Sequence, residues 1–301
     1  MSIIAIPRLN ITLCANSGSP GARLMVAASD GDIQAIHNIL PDGVLPHMDA
    51  CWLWEGSARY VSAIYAAALG GHHSAVVALL NAGAKGDAPG IFDGQNDGAT
   101  PLFAAAINGH LEAARVLIEH GAKVDEPERT HGETPLLVAV YQNHNEMVRY
   151  LLEKGADHSI VGSQDGAPVI LLAVENQNLQ MVEMLLANGA DVDRADTRKG
   201  FTPLMRAALD DNMEMVIKLL ASGATPNKPA NGTESPFDVG GPSDYPPVTP
   251  LYIAAHEEHI EVLKLLLDAG KDVNTNEDYE VAMLVAVGKC RPCIVEFLAQ
   301  L

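Results

Sequence analysis

The chain is poor in cysteine, in aromatic residues and in positive charge. Four cysteines in 301 residues are too few for a disulfide scaffold. Lysine and arginine number 19 against 38 aspartates and glutamates, so the formal net charge is −19. So acidic a chain is repelled by phosphate backbones and anionic membrane surfaces, and no apolar run approaches the roughly 20 residues of a membrane span. We therefore expect neither a nucleic-acid partner nor a membrane protein.

The N-terminal stretch lacks the features of a targeting signal. Residues 1–14 are mildly apolar, but Pro7 and Arg8 divide them and no strong small-residue cleavage site follows. We interpret residues 1–21 as an N-terminal arm, with Ser17 to Gly21 as the joint to the rest of the chain. Together with the scarcity of cysteine, this predicts a cytoplasmic protein.

Sequence motifs of the common enzyme classes are also missing. The chain contains no glycine-rich phosphate loop, no Gly-x-Ser-x-Gly elbow and no His-Glu-x-x-His metal helix. Cys290 and Cys293 form a close pair, but no second pair at zinc-binding spacing and no thioredoxin-like pattern accompanies them. We predict that the chain is not an enzyme and uses no cofactor and no metal. A redox or metal role for the pair is the alternative, since a helix N-terminus can lower a thiol pKa.

What the chain does contain is a repeated string, Gly-x-Thr-Pro-Leu. Complete copies begin at Gly98, Gly132 and Gly200, and a partial copy spans Val248 to Leu251. A Gly-Ala pair follows each complete copy, and three consecutive intervals of 34 residues separate the glycines Gly121, Gly155, Gly189 and Gly223. A recurrent alanine extends the pattern in both directions, at Ala27, Ala67, Ala105, Ala139, Ala173, Ala207, Ala254 and Ala286. We therefore predict eight repeats.

Each repeat has the pattern of two short helices. The threonine of the string can cap the first helix, and the proline suits its first turn, where an amide donor would be unpaired anyway. The second helix carries an apolar stripe, such as Val148, Leu151 and Leu152, and a glycine such as Gly155 ends it in the left-handed conformation. In the fifth repeat Pro168 replaces the capping threonine, so we expect its first helix to begin less cleanly.

These strings resemble the ankyrin repeat over residues 22–301. The resemblance implies an all-α fold, a solenoid of stacked antiparallel helix pairs with hairpin loops, and we expect it to form one elongated domain. It also implies that a recurrent histidine bonds to backbone atoms of neighbouring repeats rather than to a metal, at His72, His110, His144 and His259. The family's usual histidine after Thr-Pro-Leu is replaced, at Phe103, Leu137, Met205 and Tyr252. We therefore expect the stack to depend more on apolar packing.

Three segments interrupt the regular period, and we expect them to be insertions in the hairpin loops. They lie near residues 46–56, 89–95 and 228–247. The first contains Trp52 and Trp54, which either seal the first helix pair or contact a partner. The third is rich in proline, glycine, serine and aspartate, and is either idle or a contact element.

The resemblance places the binding surface in a concave groove, lined by the hairpin tips and the exposed ends of the first helices. One groove position carried through the repeats gives Leu69, Ile107, Tyr141, Glu175, Leu209 and His256, and the hairpin position before Thr-Pro contributes Phe201. We expect Tyr141 and Phe201 to face solvent as aromatic anchors for a partner. The alternative is that long hairpins or the 228–247 insertion cover these residues.

The function that the resemblance implies is a binding scaffold or adaptor, a monomer that recognises a protein or peptide through this groove. Because the chain is acidic, we expect a partner with a basic surface. Two alternatives stay open: a redox or small-molecule accessory that uses Cys290 and Cys293, and a structural module that assembles through its own ends. Proteins of this family also act as effectors of intracellular bacteria, in which case the location is the host cytosol.

Overall fold

The computed structural model describes residues 20–40, 50–54, 57–88, 98–162, 166–231, 248–270, 276–288 and 292–299. The chain separates into two compact units, residues 1–157 and 158–301, here called the N-terminal unit and the C-terminal unit and described separately. Most of the N-terminal arm, the insertion at 89–95 and residues 232–247 of the third insertion lie outside the described residues. The assignment of residues 22–301 to one solenoid domain stays a prediction.

The described residues form eight helix pairs, which confirms the all-α fold and the number of repeats. The N-terminal unit contains α1 (Pro20–Asp30), α2 (Ile33–Ile39), β1 (Ala50–Trp54), β2 (Ser57–Val61), α3 (Ala63–Leu69), α4 (His73–Asn81), α5 (Pro101–Ile107), α6 (Leu111–Glu119), α7 (Pro135–Tyr141) and α8 (Asn145–Glu153). The C-terminal unit contains α9 (Val169–Glu175), α10 (Leu179–Ala187), α11 (Pro203–Leu209), α12 (Met213–Ala221), α13 (Pro250–Glu257), α14 (Ile260–Ala269), α15 (Asn276–Gly288) and α16 (Pro292–Leu298).

The odd-numbered helices are the inner helices of each unit, and the even-numbered ones are the outer helices. In the N-terminal unit α3 packs between α1 and α5, and α5 packs against α7. In the C-terminal unit α11 packs between α9 and α13, and α13 packs against α15. The recurrent alanine of every inner helix is buried, because a methyl group lets neighbouring helices approach closely. A larger side chain there would overpack the stack.

Threonine caps begin four of the eight inner helices, as the sequence predicts. Four threonines accept a hydrogen bond from the backbone N–H three residues later, at Oγ1–N distances of 3.1 to 3.2 Å: Thr100, Thr134, Thr202 and Thr249. Pro168 provides no side-chain cap, as expected, yet α9 begins in the same register as α5 and has the same length of 7 residues. Packing of the helix, rather than its cap, therefore fixes where α9 begins.

Glycines in the left-handed conformation end most outer helices, which confirms another expectation. Five of them have φ between +84° and +95°: Gly83, Gly121, Gly155, Gly189 and Gly223. The N–H of the following alanine then closes the turn, as when Ala122 donates to Leu117 O at 3.0 Å. Gly270 after α14 differs, since its φ is −92°. Glycine adopts the left-handed conformation without the steric penalty that a Cβ brings.

A β-hairpin lies between α2 and α3, where the sequence predicts only a loop. Strands β1 and β2 pair antiparallel from Ala50↔Val61 to Trp54↔Ser57. The segment is rich in residue types that favour strands, and the insertion is long enough to fold back on itself. Trp52 and Trp54 lie on β1, but their side chains lie outside the described residues. Both interpretations of the two tryptophans therefore stay predictions.

Candidate functional site

Two kinds of surface element carry the candidate residues. The turn edge is the end of each inner helix with the turn that follows it: residues 69–73, 107–111 and 141–145 in the N-terminal unit, and 175–179, 209–213 and 256–260 in the C-terminal unit. The hairpin tips precede the capping threonines. Two tips are described in full, residues 126–133, here called the acidic tip, and residues 194–201, here called the basic tip.

Histidines join neighbouring repeats at the turn edge of the N-terminal unit. His110 Nε2 lies 3.1 Å from Leu69 O, and His144 Nε2 lies 3.1 Å from Ile107 O. Because a carbonyl can only accept, each Nε2 carries the proton and donates it to the bond. Asn108 Nδ2 also donates to Leu69 O, at 3.1 Å. The expected bonding of these histidines to backbone atoms is thereby confirmed.

Each of these imidazoles lies over a glycine of the preceding repeat. Gly71 and Gly109 have φ values of +74° and +69°. A Cβ built on Gly71 would lie 2.5 Å from His110 Nδ1, and one built on Gly109 would lie 2.8 Å from His144 Nδ1. The two glycines therefore supply the left-handed backbone of the turn and also leave room for the ring.

The turn edge of the C-terminal unit forms the same backbone turn with other residues. Gln177, Asp211 and Glu258 occupy the left-handed position, with φ values of 54°, 53° and 68°. Asn212 caps α12 by accepting from Met215 N–H at 3.1 Å. His259 retains the bond between repeats, since its Nε2 lies 3.2 Å from Leu209 O, and its Nδ1 lies 3.6 Å from Asp211 Oδ1. Here a side chain stands where Gly71 and Gly109 leave space, as one already does at Asn143 in the last turn of the N-terminal unit.

Carboxylates are concentrated at this second turn edge, at Glu175, Asp210, Asp211, Glu257 and Glu258. Arg206 binds two of them, with Nη1 3.2 Å from Glu175 Oε1 and Nε 2.9 Å from Asp210 Oδ2. All three side chains of this network are partly buried. Glu257 Oε1 lies 2.7 Å from His256 Nδ1. The edge is therefore acidic, with one arginine held inside it.

Among the groove residues predicted in the N-terminal unit, Tyr141 faces solvent. Its side chain is 42% exposed. Leu69 and Ile107 are buried, contrary to the expectation that the whole row faces solvent. Their carbonyls accept the hydrogen bonds from His110 and His144, so these helix ends lie against the next repeat.

In the C-terminal unit the expectation that Phe201 faces solvent is wrong. Phe201 is only 8% exposed. Its N–H donates to Asp196 Oδ2 at 2.9 Å, and its carbonyl accepts from Asp196 N–H at 3.1 Å. These bonds hold Phe201 at the base of the basic tip, with its ring buried. The other predicted groove residues of this unit are partly exposed: Glu175, Leu209 and His256.

Two carboxylates that organise the hairpin tips were missed by the sequence interpretation. Glu128 is buried in the acidic tip and accepts hydrogen bonds from the backbone N–H groups of Thr130, at 2.7 Å, and His131. Asp196 accepts in the same way from Arg198 and Lys199, at 2.9 and 2.6 Å. The available signal was spacing, since each carboxylate lies six residues before a capping threonine.

The acidic tip holds several titratable groups close together. Burial raises the pKa of Glu133, and the nearby Glu128 carboxylate raises it further, while His131 lowers it. Lys123 Nζ pairs with Glu126 Oε2 at 2.9 Å on the exposed side. The tip therefore holds three carboxylates, of which Glu128 is buried, beside the exposed Arg129.

Within the described residues, no group of three or more His, Cys, Asp or Glu side chains is arranged to hold a metal ion. No helix in those ranges is long and apolar enough to cross a bilayer. Cys290 and the side chain of Cys293 lie outside the described residues, although α16 begins at Pro292 as the sequence predicts.

Known proteins resemble this chain along most of its length. A family model described as ankyrin repeats, in three copies, matches residues 24–128, 63–161 and 159–230, and a single ankyrin-repeat model matches residues 248–278. A crystal structure of the ankyrin repeat domain of Bcl-3, described as a unique member of the IκB protein family, covers 80% of this chain and 97% of its own. The TM-score is 0.61 and the sequence identity is 24%, so this likeness concerns the fold. No curated protein sequence matches the chain significantly.

Proposed function

This chain belongs to the ankyrin-repeat family, and from that premise we propose that it is a non-enzymatic scaffold that binds a protein or peptide. Ankyrin repeats generally mediate protein–protein interaction. We propose that the partner contacts the groove side of the repeats. In each unit this side consists of the turn edges and the hairpin tips. The observation that carries the proposal is Tyr141, a large aromatic side chain that is 42% exposed at the end of an inner helix.

Tyr141 has the properties of an interface anchor. At the equivalent position of the two preceding repeats, Leu69 and Ile107 are buried, so exposure is not a general consequence of this position in the repeat. Tyrosine is among the residue types that dominate interface energies, because its ring buries a large area and its hydroxyl finds a polar partner. Leu69 and Ile107 then lie buried below the surface that the partner contacts.

In the C-terminal unit we assign recognition to charge. Asp210 and Asp211 follow α11, and Glu257 and Glu258 lie at the end of α13. A helix C-terminus already carries partial negative charge, so carboxylates there reduce helix stability. Asp210 pairs with Arg206 and Glu257 with His256 within the chain, and the carboxylates together still give this edge a negative potential that suits a partner with a basic surface. That partner also contacts the partly exposed groove residues Glu175, Leu209 and His256.

The mechanism is preorganisation combined with electrostatic steering. Hydrogen bonds between repeats fix the turn edge before the partner arrives, so association loses little conformational entropy. The net charge of −19 attracts a basic partner and speeds encounter, more strongly at low salt. We propose that the chain acts as a monomer in the cytoplasm, or in the host cytosol if it is secreted.

The test compares the affinity of a purified partner, first identified by capture on the wild-type chain, for three proteins. These are the wild type, Tyr141→Ala and the control Ile217→Ala. Ile217 is 51% exposed on the outer helix α12, so the control removes a comparable apolar side chain away from the turn edge. We expect Tyr141→Ala to weaken binding about tenfold or more, which corresponds to about 1.4 kcal/mol, and the control to bind normally. Equal affinities for all three proteins would contradict the proposal.

A further inference from the structure

A stripe of apolar side chains is exposed on α15, the inner helix that pairs with α16 in the C-terminal unit. Leu284 is 69% exposed and Val287 is 56% exposed, and no other large hydrophobic side chain of the described residues is as exposed as either. Met283 is partly exposed beside them, and Glu280 is exposed at the N-terminal end of the stripe. The four residues are spaced by three and four positions, so they share one side of the helix.

The other side of α15 packs into the stack. Ala282 and Ala286 are buried, and α15 packs against α13. Since successive residues of a helix are about 100° apart around its axis, these two alanines point away from the exposed stripe. The stripe is therefore the side of the inner helix that faces away from the preceding repeat.

The same side of the preceding inner helices is buried. Counted from the recurrent alanine, Leu284 lies two residues before it and Val287 one residue after it. The next inner helix packs over α9, α11 and α13 in turn. The corresponding residues are all buried: Leu171 and Val174 on α9, Met205 and Ala208 on α11, and Tyr252 and Ala255 on α13. This side of an inner helix is thus a surface on which another helix packs.

An open groove of about 410 Å³ runs along the stripe, here called the α15 groove. It is lined by Glu280, Met283, Leu284 and Leu298. Leu298 comes from α16 and is buried, so it lies at the bottom of the groove. An apolar stripe that remains in water promotes aggregation, and polar residues are the usual choice at such positions. The apolar lining with a carboxylate at one end therefore indicates a binding surface.

We propose that the α15 groove binds an amphipathic helix of a partner protein, whose apolar stripe is accompanied by a lysine or arginine. The stripe of that helix packs on Met283, Leu284 and Val287, as each inner helix of the unit packs on the one before it. Glu280 pairs with the basic residue and so fixes the direction in which the partner helix lies.

The charge of the chain favours such a partner over a second copy of the chain. A two-fold contact would place each α15 groove, with its Glu280, against the same surface of the other copy. Both copies would also carry a net charge of −19, so they repel each other. The α15 groove is separate from the Tyr141 contact and does not depend on it.

The test measures the binding of labelled peptides by fluorescence anisotropy. The patterned peptide has about 15 residues, enough to form a helix, with leucines on one side, one lysine beside them and glutamine elsewhere. The scrambled peptide has the same composition, with its leucines spread around the helix. The third peptide is the patterned one with glutamine in place of its lysine.

Two double variants of the chain are compared with the wild type. The site variant is Leu284→Gln with Val287→Gln. The control variant is Ile33→Gln with Ile217→Gln, because these isoleucines are 38% and 51% exposed on the outer helices α2 and α12. Glutamine is nearly as favourable in a helix as leucine, and neither variant changes the net charge.

We expect the wild type and the control variant to bind the patterned peptide, and the site variant to bind it at least about tenfold more weakly. Glu280→Gln should weaken binding of the patterned peptide about threefold and leave binding of the peptide without lysine unchanged, because it removes only the charge contact. Tyr141→Ala should bind the patterned peptide normally, so a failure here is distinct from a failure of the Tyr141 contact.

Three results would overturn the inference. One is failure of the wild type to bind the patterned peptide, and another is equal binding of the patterned and scrambled peptides. The third is equal affinity of the site variant and the control variant for the patterned peptide. Each would show that the α15 groove does not recognise an amphipathic helix.

Light scattering and thermal melts complete the test. A mass that rises with concentration for the wild type but not for the site variant would identify a second copy of the chain as the occupant, and would overturn the inference. The melting temperature of the site variant should match that of the wild type, since both replaced side chains are exposed. If it does not, Leu284→Gln alone replaces the site variant and should still weaken peptide binding about threefold.

Discussion

The two units form the same turn between paired helices with different residues. In two turns of the N-terminal unit the left-handed position is glycine, at Gly71 and Gly109, and the next repeat places an imidazole over it, whereas the unit's last turn has Asn143 there. In the C-terminal unit Gln177 and Asp211 hold that position, and the next repeats carry Asn212 and His259. The residue type at the left-handed position is therefore coupled to the residue type that the next repeat places against it. The His110 and His144 rings lie over Gly71 and Gly109. The His259 ring lies beside Asp211 instead.

The same difference gives each unit its own surface chemistry. Without side chains at Gly71 and Gly109, the turn edge of the N-terminal unit is largely uncharged, and Tyr141 is an exposed large hydrophobic side chain on it. The turn edge of the C-terminal unit carries carboxylates at Asp211 and Glu258, in backbone conformations that disfavour side chains. One turn edge therefore exposes an aromatic side chain and the other carries carboxylates.

The largest expected effect is a difference in stability between the Phe201→Ala and Tyr141→Ala variants. The sequence predicts that both aromatic side chains face solvent. Phe201→Ala should reduce the free energy of unfolding by about 3 kcal/mol, because a buried aromatic ring is lost and a cavity remains. Tyr141→Ala should change it by less than about 0.5 kcal/mol, since the side chain is 42% exposed. Urea unfolding followed by circular dichroism measures both values. Similar losses for the two variants would remove the distinction between the units.

The second effect concerns the glycine beneath the imidazole. Gly71→Ala should reduce the free energy of unfolding by about 2 kcal/mol, because the new Cβ is strained in the left-handed conformation and displaces His110 from its hydrogen bond. Gln177→Ala is the matched control, since that position already carries a side chain. We expect the control to shift the urea midpoint little. A stable Gly71→Ala protein would show that the imidazole tolerates a side chain beneath it.

Sequence patterns predicted the elements that repeat. The 34-residue interval, the capping threonines and the left-handed glycines all reflect backbone requirements that recur in each repeat, so they are visible as periodic strings. The buried alanines of the inner helices follow for the same reason. The β-hairpin at Ala50–Trp54 and Ser57–Val61 was missed, because it occurs once and its strands lie in an insertion without a period.

The periodic repeat pattern does not predict the solvent exposure of individual side chains. Leu69, Ile107 and Tyr141 share one position, yet only Tyr141 faces solvent among the three. Burial there depends on how the next repeat packs, which is a contact between residues distant in sequence. The sequence does not single out Glu128 and Asp196, because acidic residues are common in this chain. Their role in shaping the hairpin tips is visible only in their hydrogen bonds with backbone N–H groups.

A third, smaller effect concerns the start of the inner helices. Thr134→Ala in the N-terminal unit removes a cap and should cost about 1 kcal/mol. Pro168→Thr in the C-terminal unit supplies a cap that α9 lacks and should gain a few tenths of a kcal/mol, because the new bond is offset by greater freedom of the unfolded chain. Thermal melts of both variants check the signs. A loss of stability in Pro168→Thr would mean that the proline stabilises α9 in another way.

The smallest effect is a dependence of stability on pH at His110, in the N-terminal unit. Burial lowers the pKa of His110, its bond to Leu69 O raises it, and the neighbouring His72 and His144 lower it further. A histidine whose pKa is lowered by folding binds fewer protons in the folded state than in the unfolded state. Its contribution to stability is therefore complete above the ordinary pKa of about 6.5 and declines as the pH falls below that value.

The variant His110→Asn isolates this contribution, since Asn212 occupies the equivalent position in the C-terminal unit. Between about pH 8 and about pH 5, where imidazoles titrate, the urea midpoint of the wild type should fall more than that of the variant. An NMR titration of the His110 ring should give a midpoint below the ordinary value. The effect is small because one partly buried ring is involved and its backbone bond opposes the shift. Parallel pH profiles for the two proteins, or a His110 midpoint above the ordinary value, would show that the imidazoles of the N-terminal unit do not couple its stability to pH.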